Sequence, residues 1–183
     1  PGGPALAEGL DLAVGPGERV ALVGPSGVGK TTLGATVLGL IPPQAGAVTV
    51  RGRVGYLAQD AHLFATSVAE NVKIGNRDAS PAQVADALAR AGLPIDPARV
   101  VGELGASLSG GEARRLAASR LLVGDYQVVV LDEPSEHLDP ETAAALLDDL
   151  WATTAGAPTL VITHDPEVVA RCDRVVRLGV RGH

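Results

Sequence analysis

Methionine is absent from the chain, cysteine occurs once, and only four residues are aromatic: one Trp, two Tyr and one Phe. Each scarcity excludes something. A single thiol forms no intrachain disulfide and suits a reducing compartment. Cys172 falls where a short helix is expected to run into a last strand, a place for a buried, inert thiol. A chain without Met does not begin at its own start codon, so the sequence reads as a processed or excised piece of something longer. Lysine is scarce as well, with Lys30 and Lys73 only, and 15 basic residues stand against 21 acidic ones for a net charge of −6. Sequence-independent nucleic-acid binding needs concentrated Lys and Arg, so no nucleic acid is expected as a partner. The densest basic cluster, Arg114 and Arg115 with Arg120, falls on an expected helix and reads as a solvated or interface face. No run approaches the roughly 18 apolar residues of a membrane span, and no signal peptide is visible. His62, His137 and His183 lack the spacing of a zinc site. Trp151 falls on an amphipathic helix and reads as core or interface.

What is present is enough apolar sequence for one domain. A chain of 183 residues buries roughly 70% of its unfolded surface and needs no covalent staple. Residues 20–23 form an apolar run ending in glycine, a buried strand. From Lys30, with Leu33, Val37 and Leu40 on one face, a helix is expected to run until Pro42 and Pro43 terminate it. Residues 48–50 and 54–57 read as two short strands flanking Arg51-Gly52-Arg53. Ser67 with Glu70, and Ser80 with Gln83, are capping boxes; the second carries Pro81 at the first helical position and Gly92 at its close. A helix follows over residues 112–123, a strand over 128–131, a helix from Asp139 through Trp151, and a strand over 160–162. This alternation implies an α/β fold with a parallel sheet and crossover helices. We expect a single domain over residues 1–183, its α/β core formed by 1–65 and 125–183, with a helical subdomain at 66–124.

Three motifs carry chemistry. Gly24-Pro25-Ser26-Gly27-Val28-Gly29-Lys30-Thr31, followed by Thr32, is a phosphate loop between a strand and a helix. Its glycines let backbone N–H groups curl around phosphate oxygens, and the helix N-terminus adds its positive dipole end. Lys30 is placed for the β- and γ-phosphates and the Thr31 hydroxyl for Mg²⁺. Asp132-Glu133 ends an apolar strand, where Asp132 suits the metal and Glu133 the orientation and deprotonation of an attacking water. Between them, Ser109-Gly110-Gly111 opens a helix and makes a second anion site.

In this order, and with Leu108 and Glu112 completing Leu-Ser-Gly-Gly-Glu, the motifs resemble the nucleotide-binding domain of ATP-binding-cassette (ABC) proteins, from about Gly17 to Asp173. The resemblance implies a RecA-like P-loop NTPase core that binds ATP and Mg²⁺ and hydrolyses ATP. It implies a head-to-tail dimer in which Ser109, Gly110 and Gly111 cap the ATP of the opposite protomer. Gln59 matches the Q-loop glutamine that touches Mg²⁺ and water, and His164 matches the switch histidine that contacts the γ-phosphate. Residues 135–139 match the D-loop that crosses to the other protomer, which brings Asp139 near nucleotide. Glu112 stands where Gln is commonest.

Further segments resemble the exporter branch. Residues 62–72, from His62 to Val72, look like the stretch that meets a membrane domain's coupling helix, and residues 101–105 look like the exporter X-loop. Residues 132–139 are similar to the D-loop region of the heterodimeric thiol exporters of cytochrome bd assembly, closest to the actinobacterial CydC-type half. The implied partners are a second nucleotide-binding domain, forming a heterodimer, and a transmembrane domain of the same full-length chain. The implied location is the cytoplasmic face of the plasma membrane. Two alternatives remain: a soluble ABC ATPase of DNA repair or translation, whose coiled-coil insertions or duplicated cassettes are missing here, and a low-turnover regulatory half of a heterodimer. The family's adenine-stacking aromatic should precede the phosphate loop, yet the first aromatic is Tyr56.

Overall fold

Val20, Ala21 and Leu22 are wholly inaccessible to solvent, as a parallel sheet covered on both faces requires of its inner strands. The structure is a computed structural model and describes residues 10–102 and 107–179. Its strands are β1 (Arg19–Val23), β2 (Val54–Leu57), β3 (Val128–Asp132), β4 (Thr159–Ile162) and β5 (Arg174–Arg177). They form one sheet in the order β2-β3-β4-β1-β5, with every pairing parallel. The helices are α1 (Lys30–Val37), α2 (Val68–Val72), α3 (Pro81–Arg90), α4 (Gly110–Leu122), α5 (Pro140–Thr153) and α6 (Pro166–Val169). This is the α/β parallel architecture expected from the alternation of elements.

The period-2 geometry of a strand divides the core in two. Val129 and Leu131 of β3 join a larger cluster with Leu116 of α4 and Leu150 of α5. Val130 faces the other way, with Val20, Leu22 and Ile162, towards Leu33 and Val37 of α1. Burying each such side chain contributes roughly 1.5–3 kcal/mol, so the sheet is clamped from both sides. The register sets Val130 beside Leu160 and Asp132 beside Ile162. Because all strands run the same way, the residues following β1, β2, β3 and β4 emerge along one edge, where open α/β sheets bind ligands.

Local signals set the helix ends. Ser80 and Gln83 exchange both bonds of a capping box, at 2.9 and 3.3 Å. Gly92, at φ +64°, closes α3 while Leu93 N–H reaches back to Leu88 O at 2.9 Å. At Ser67 only half of the expected box forms: its hydroxyl accepts from Glu70 N–H at 3.1 Å, while the Glu70 carboxylate turns to Lys73.

Three expectations need correction. The helix after Lys30 stops at Val37, not at the prolines, because Gly39 takes φ +73° and Leu40 N–H bonds back to Ala35 O at 2.9 Å. This is a Schellman closure; it turns Leu40 out, 71% exposed. Residues 48–50 are not a strand. A strand needs a ladder partner, and they meet none among the described residues; they line an open groove with Leu10, Leu12 and Tyr126 instead. The arginine cluster is not a solvated face. Arg114 is buried, and Arg120 donates to Asn71 O and Oδ1 at 3.1 and 2.9 Å.

Candidate functional site

The chain leaves β1 at Gly24, where a Cβ would lie 2.6 Å from the Leu178 carbonyl oxygen. Gly27 and Gly29 then take φ +78° and +99°, conformations cheap only for glycine. Gly29 precedes α1 without any side-chain cap, so the first-turn N–H groups remain available to an anion. Lys30 lies across its own loop, its Nζ donating to Gly24 O at 2.8 Å and Pro25 O at 3.1 Å.

Thr31, one residue into α1, donates its hydroxyl to Asp132 Oδ2 at 3.2 Å. Burial holds the Asp132 carboxyl above the usual range, and the Thr31 bond pulls against that shift. Next to it Glu133 takes φ +49°, a left-handed pose uncommon for a non-glycine residue. Its carboxylate is 6% exposed as a residue and fully engaged. Oε2 accepts from the Thr163 hydroxyl at 3.0 Å and His164 N–H at 3.3 Å, and Oε1 lies 2.8 Å from His164 Nδ1. The Glu133 hydrogen bond raises the His164 pKa. Gln59, two residues beyond β2, donates Nε2 to Glu136 Oε1 at 3.3 Å.

One cleft of about 480 Å³ collects Gly24, Ser26, Gly27, Gly29, Lys30, Thr31, Thr32, Gln59, Asp132, Glu133 and His164, together with Glu136. Pro25 and Val28 belong to the loop but do not line the cleft; Val28 packs into the smaller core. Ser109, Gly110, Gly111 and Asp139 also lie outside its lining. Ser109 caps α4, accepting from Glu112 N–H at 3.2 Å while Glu112 Oε2 accepts from Ser109 N–H at 2.8 Å. A Cβ on Gly111 would meet the His137 carbonyl oxygen at 3.4 Å, so this turn adjoins the segment leading to α5. Asp139 caps α5 by accepting from Thr142 N–H at 3.0 Å, which lowers its pKa. Of residues 101–105, positions 103–105 lie outside the described residues, as does His183.

Sequence reasoning missed two residues. Glu136 was legible only as a member of the D-loop match over residues 135–139, with no role of its own, and Arg114 only as one arginine of a basic cluster. Glu136 keeps Oε2 buried without a partner. The oxygen-rich set of the Thr31 hydroxyl, Asp132 carboxylate and Gln59 amide fits Mg²⁺, which binds through one or two carboxylates, waters and substrate phosphates. The burial of Asp132 makes a cation there favourable, since an uncompensated buried charge is costly.

The segment at 62–72 presents a second feature. Asn71 is fully buried and holds the Phe64 backbone from both sides, Oδ1 accepting Phe64 N–H and Nδ2 donating to Phe64 O, each at 3.0 Å. Phe64 is nevertheless 49% exposed, and Val100, bridged to Ser67 of the same segment, is 66% exposed. No helix among the described residues is long and apolar enough to cross a membrane.

Comparison with known proteins gives a consistent picture. The family model described as ABC transporter matches residues 7–136. The chain is 36% identical over 193 residues to the ATP-dependent lipid A-core flippase of Chromobacterium violaceum, covering 94% of this chain and 33% of that protein. It is 35% identical to the glutathione/L-cysteine transport system ATP-binding/permease protein CydD of Bacillus subtilis, covering 88% of this chain and 32% of that protein. It is 39% identical to the lipoprotein-releasing system ATP-binding protein LolD of Chromohalobacter salexigens, covering 92% and 81%. Among solved structures, a bacterial Atm1-family ABC exporter with ATP bound aligns at a TM-score of 0.87 and 31% identity, over 97% of this chain and 35% of that one. The chain thus spans about a third of the length of the flippase and CydD.

Proposed function

The chain belongs to the ABC transporter family, as an ATP-binding domain of its ATPases, and from that premise we propose that it is the ATP-hydrolysing domain of an exporter half. The observation that carries the reading is the Glu133 carboxylate, fixed by Thr163 and His164 beside Lys30, Thr31 and Asp132. The loop N–H groups hold the phosphates, and Lys30 exchanges the Gly24 and Pro25 carbonyls for phosphate oxygens. Thr31, Asp132 and Gln59 hold Mg²⁺, which supplies charge neutralisation at the phosphates when bound. Glu133 orients the attacking water and takes its proton. His164, its ring largely exposed to the cleft, steadies that carboxylate and faces the γ-phosphate. Ser109, Gly110 and Gly111 serve the nucleotide of a second domain in a head-to-tail pair, and Asp139 lies at that interface.

The partners in this reading are a second nucleotide-binding domain, as a heterodimer, and a transmembrane domain of the same full-length chain at the cytoplasmic face of the plasma membrane. The exposed Phe64 and Val100 suit contact with such a domain. In this reading the chain is one domain, with residues 66–124 assigned to the helical subdomain and 1–65 with 125–183 to the α/β core. Thiol export for cytochrome bd assembly, as the CydC-type half, is the finer proposal. Its support is the wording of residues 132–139 and the likeness to CydD, against an equal likeness to a lipid flippase. Six membrane spans encoded upstream of Pro1 would support the exporter reading.

Glu133→Gln tests the mechanism. It keeps shape and hydrogen bonding but removes the base, so turnover should fall by about 10²–10⁴-fold while ATP binding persists. Near-normal hydrolysis by this variant overturns the assignment.

A further inference from the structure

The pairing of β2 with β3 ends at Leu57 beside Leu131. The residues that matter for chemistry, Gln59 on one strand extension and Asp132-Glu133 on the other, lie at or beyond the point where this ladder stops. What joins the two extensions is a side chain from a helix. Arg114 of α4, 4% exposed, donates Nη1 to the carbonyls of Ala58 and Gln59, at 2.5 and 2.9 Å. Its Nη2 donates to the Asp132 carbonyl at 2.5 Å and also to the Glu133 carbonyl. The planar fork of a guanidinium can serve four acceptors in this way, whereas an ammonium has three donors on a single point.

Glu133 needs such a fixture. It is a non-glycine residue at φ +49°, and such a pose persists only where the surroundings over-determine it. Its N–H is held by the Ile162 carbonyl at 2.8 Å, and its own carbonyl accepts from Arg114 and from Glu136 N–H, the latter at 3.1 Å, so both sides of the strained residue are pinned. Resting on the assignment of Glu133 as the base, we propose that Arg114 is a positioning residue for hydrolysis. It holds Glu133 in its left-handed pose and keeps the Gln59 backbone in step with it, without touching nucleotide.

The test uses Arg114→Lys in the full-length protein that carries this chain, alone and combined with Glu133→Gln. With Glu133 intact, kcat should fall by about tenfold or more, since a misplacement on the order of 1 Å can cost about 10²-fold, while KM for ATP stays within about twofold. In the Glu133→Gln background the same change should lower the residual single-turnover rate by less than about twofold, because residues acting as one unit are not additive. An equal loss in both backgrounds, or a raised KM with kcat preserved, overturns the proposal and makes Arg114 a structural residue only. If Arg114→Lys does not fold, Arg114→Gln, which keeps one amide donor group, is read by the same two criteria. Near-normal turnover of Glu133→Gln alone overturns the base assignment, and this inference falls with it. An inactive Glu133→Gln with parental kcat in Arg114→Lys overturns this inference alone.

Discussion

At the scale of single residues, environment rather than identity decides chemistry. Cys172 is the lone thiol, and burial pushes its pKa up to about 11 from the ordinary 9.0; its Sγ contacts the Val168 carbonyl oxygen at 3.4 Å. The thiolate is the reactive form. At pH 8 a rise of this size leaves about a hundredfold less thiolate than an ordinary cysteine carries. Labelling by a disulfide reagent at pH 8 should therefore be slow in the native protein and fast once it is unfolded; rapid native labelling would refute the assignment. The sign of the linkage is also fixed. A folded-state pKa above the unfolded one leaves stability untouched below pH 9 and erodes it from there towards pH 11, as the unfolded chain loses its proton first. Burial also raises the pKa of Tyr56 and of Tyr126, which add an alkaline slope to any variant, so denaturant midpoints should fall more steeply in the parent than in a Cys172→Ala control.

At the scale of elements, glycines make separable demands. Gly92 closes α3 at φ +64°, with the nearest atom to an added Cβ at 3.8 Å, so Gly92→Ala pays only for the left-handed backbone, about 1–2 kcal/mol. Gly75 has ordinary backbone, but an added Cβ would lie 1.9 Å from the Arg120 carbonyl oxygen in α4. Gly75→Ala must therefore shift a helix that packs against α2 and α3. It should cost more than Gly92→Ala, about 3 kcal/mol or above. Urea unfolding of both variants checks the order, and a Gly75→Ala protein as stable as the parent would contradict the packing described here. Helix α4 follows the Ser109 cap and carries Arg114 to the ends of β2 and β3.

At the scale of the whole molecule, the turn at Ser109 lies outside the cleft that holds Lys30 and Glu133. If it serves a second domain, Ser109→Arg should leave this chain's own ATP affinity intact and abolish hydrolysis at the partner's site. Because Ser109 also caps α4, the variant should lose about 1 kcal/mol of stability. Nucleotide titration of the unpaired domain, with turnover measured in the assembled pair, separates the two effects. Loss of ATP binding by the unpaired domain would rule out the head-to-tail arrangement.

What the sequence determined by itself was whatever depends on neighbours along the chain. The phosphate loop, the acid pair at the end of an apolar strand, the Ser80 box and the alternation of strands and helices are all patterns a few residues long, set by local hydrogen bonding and side-chain period. Tertiary structure alone decided where distant segments meet. Nothing within a few residues of Arg114 says that its guanidinium will be buried under two strand ends, nor does residue order join Gln59 to Glu136. Residues 48–50 show the converse: a run of suitable β-formers stayed out of the sheet because a strand requires a partner in space.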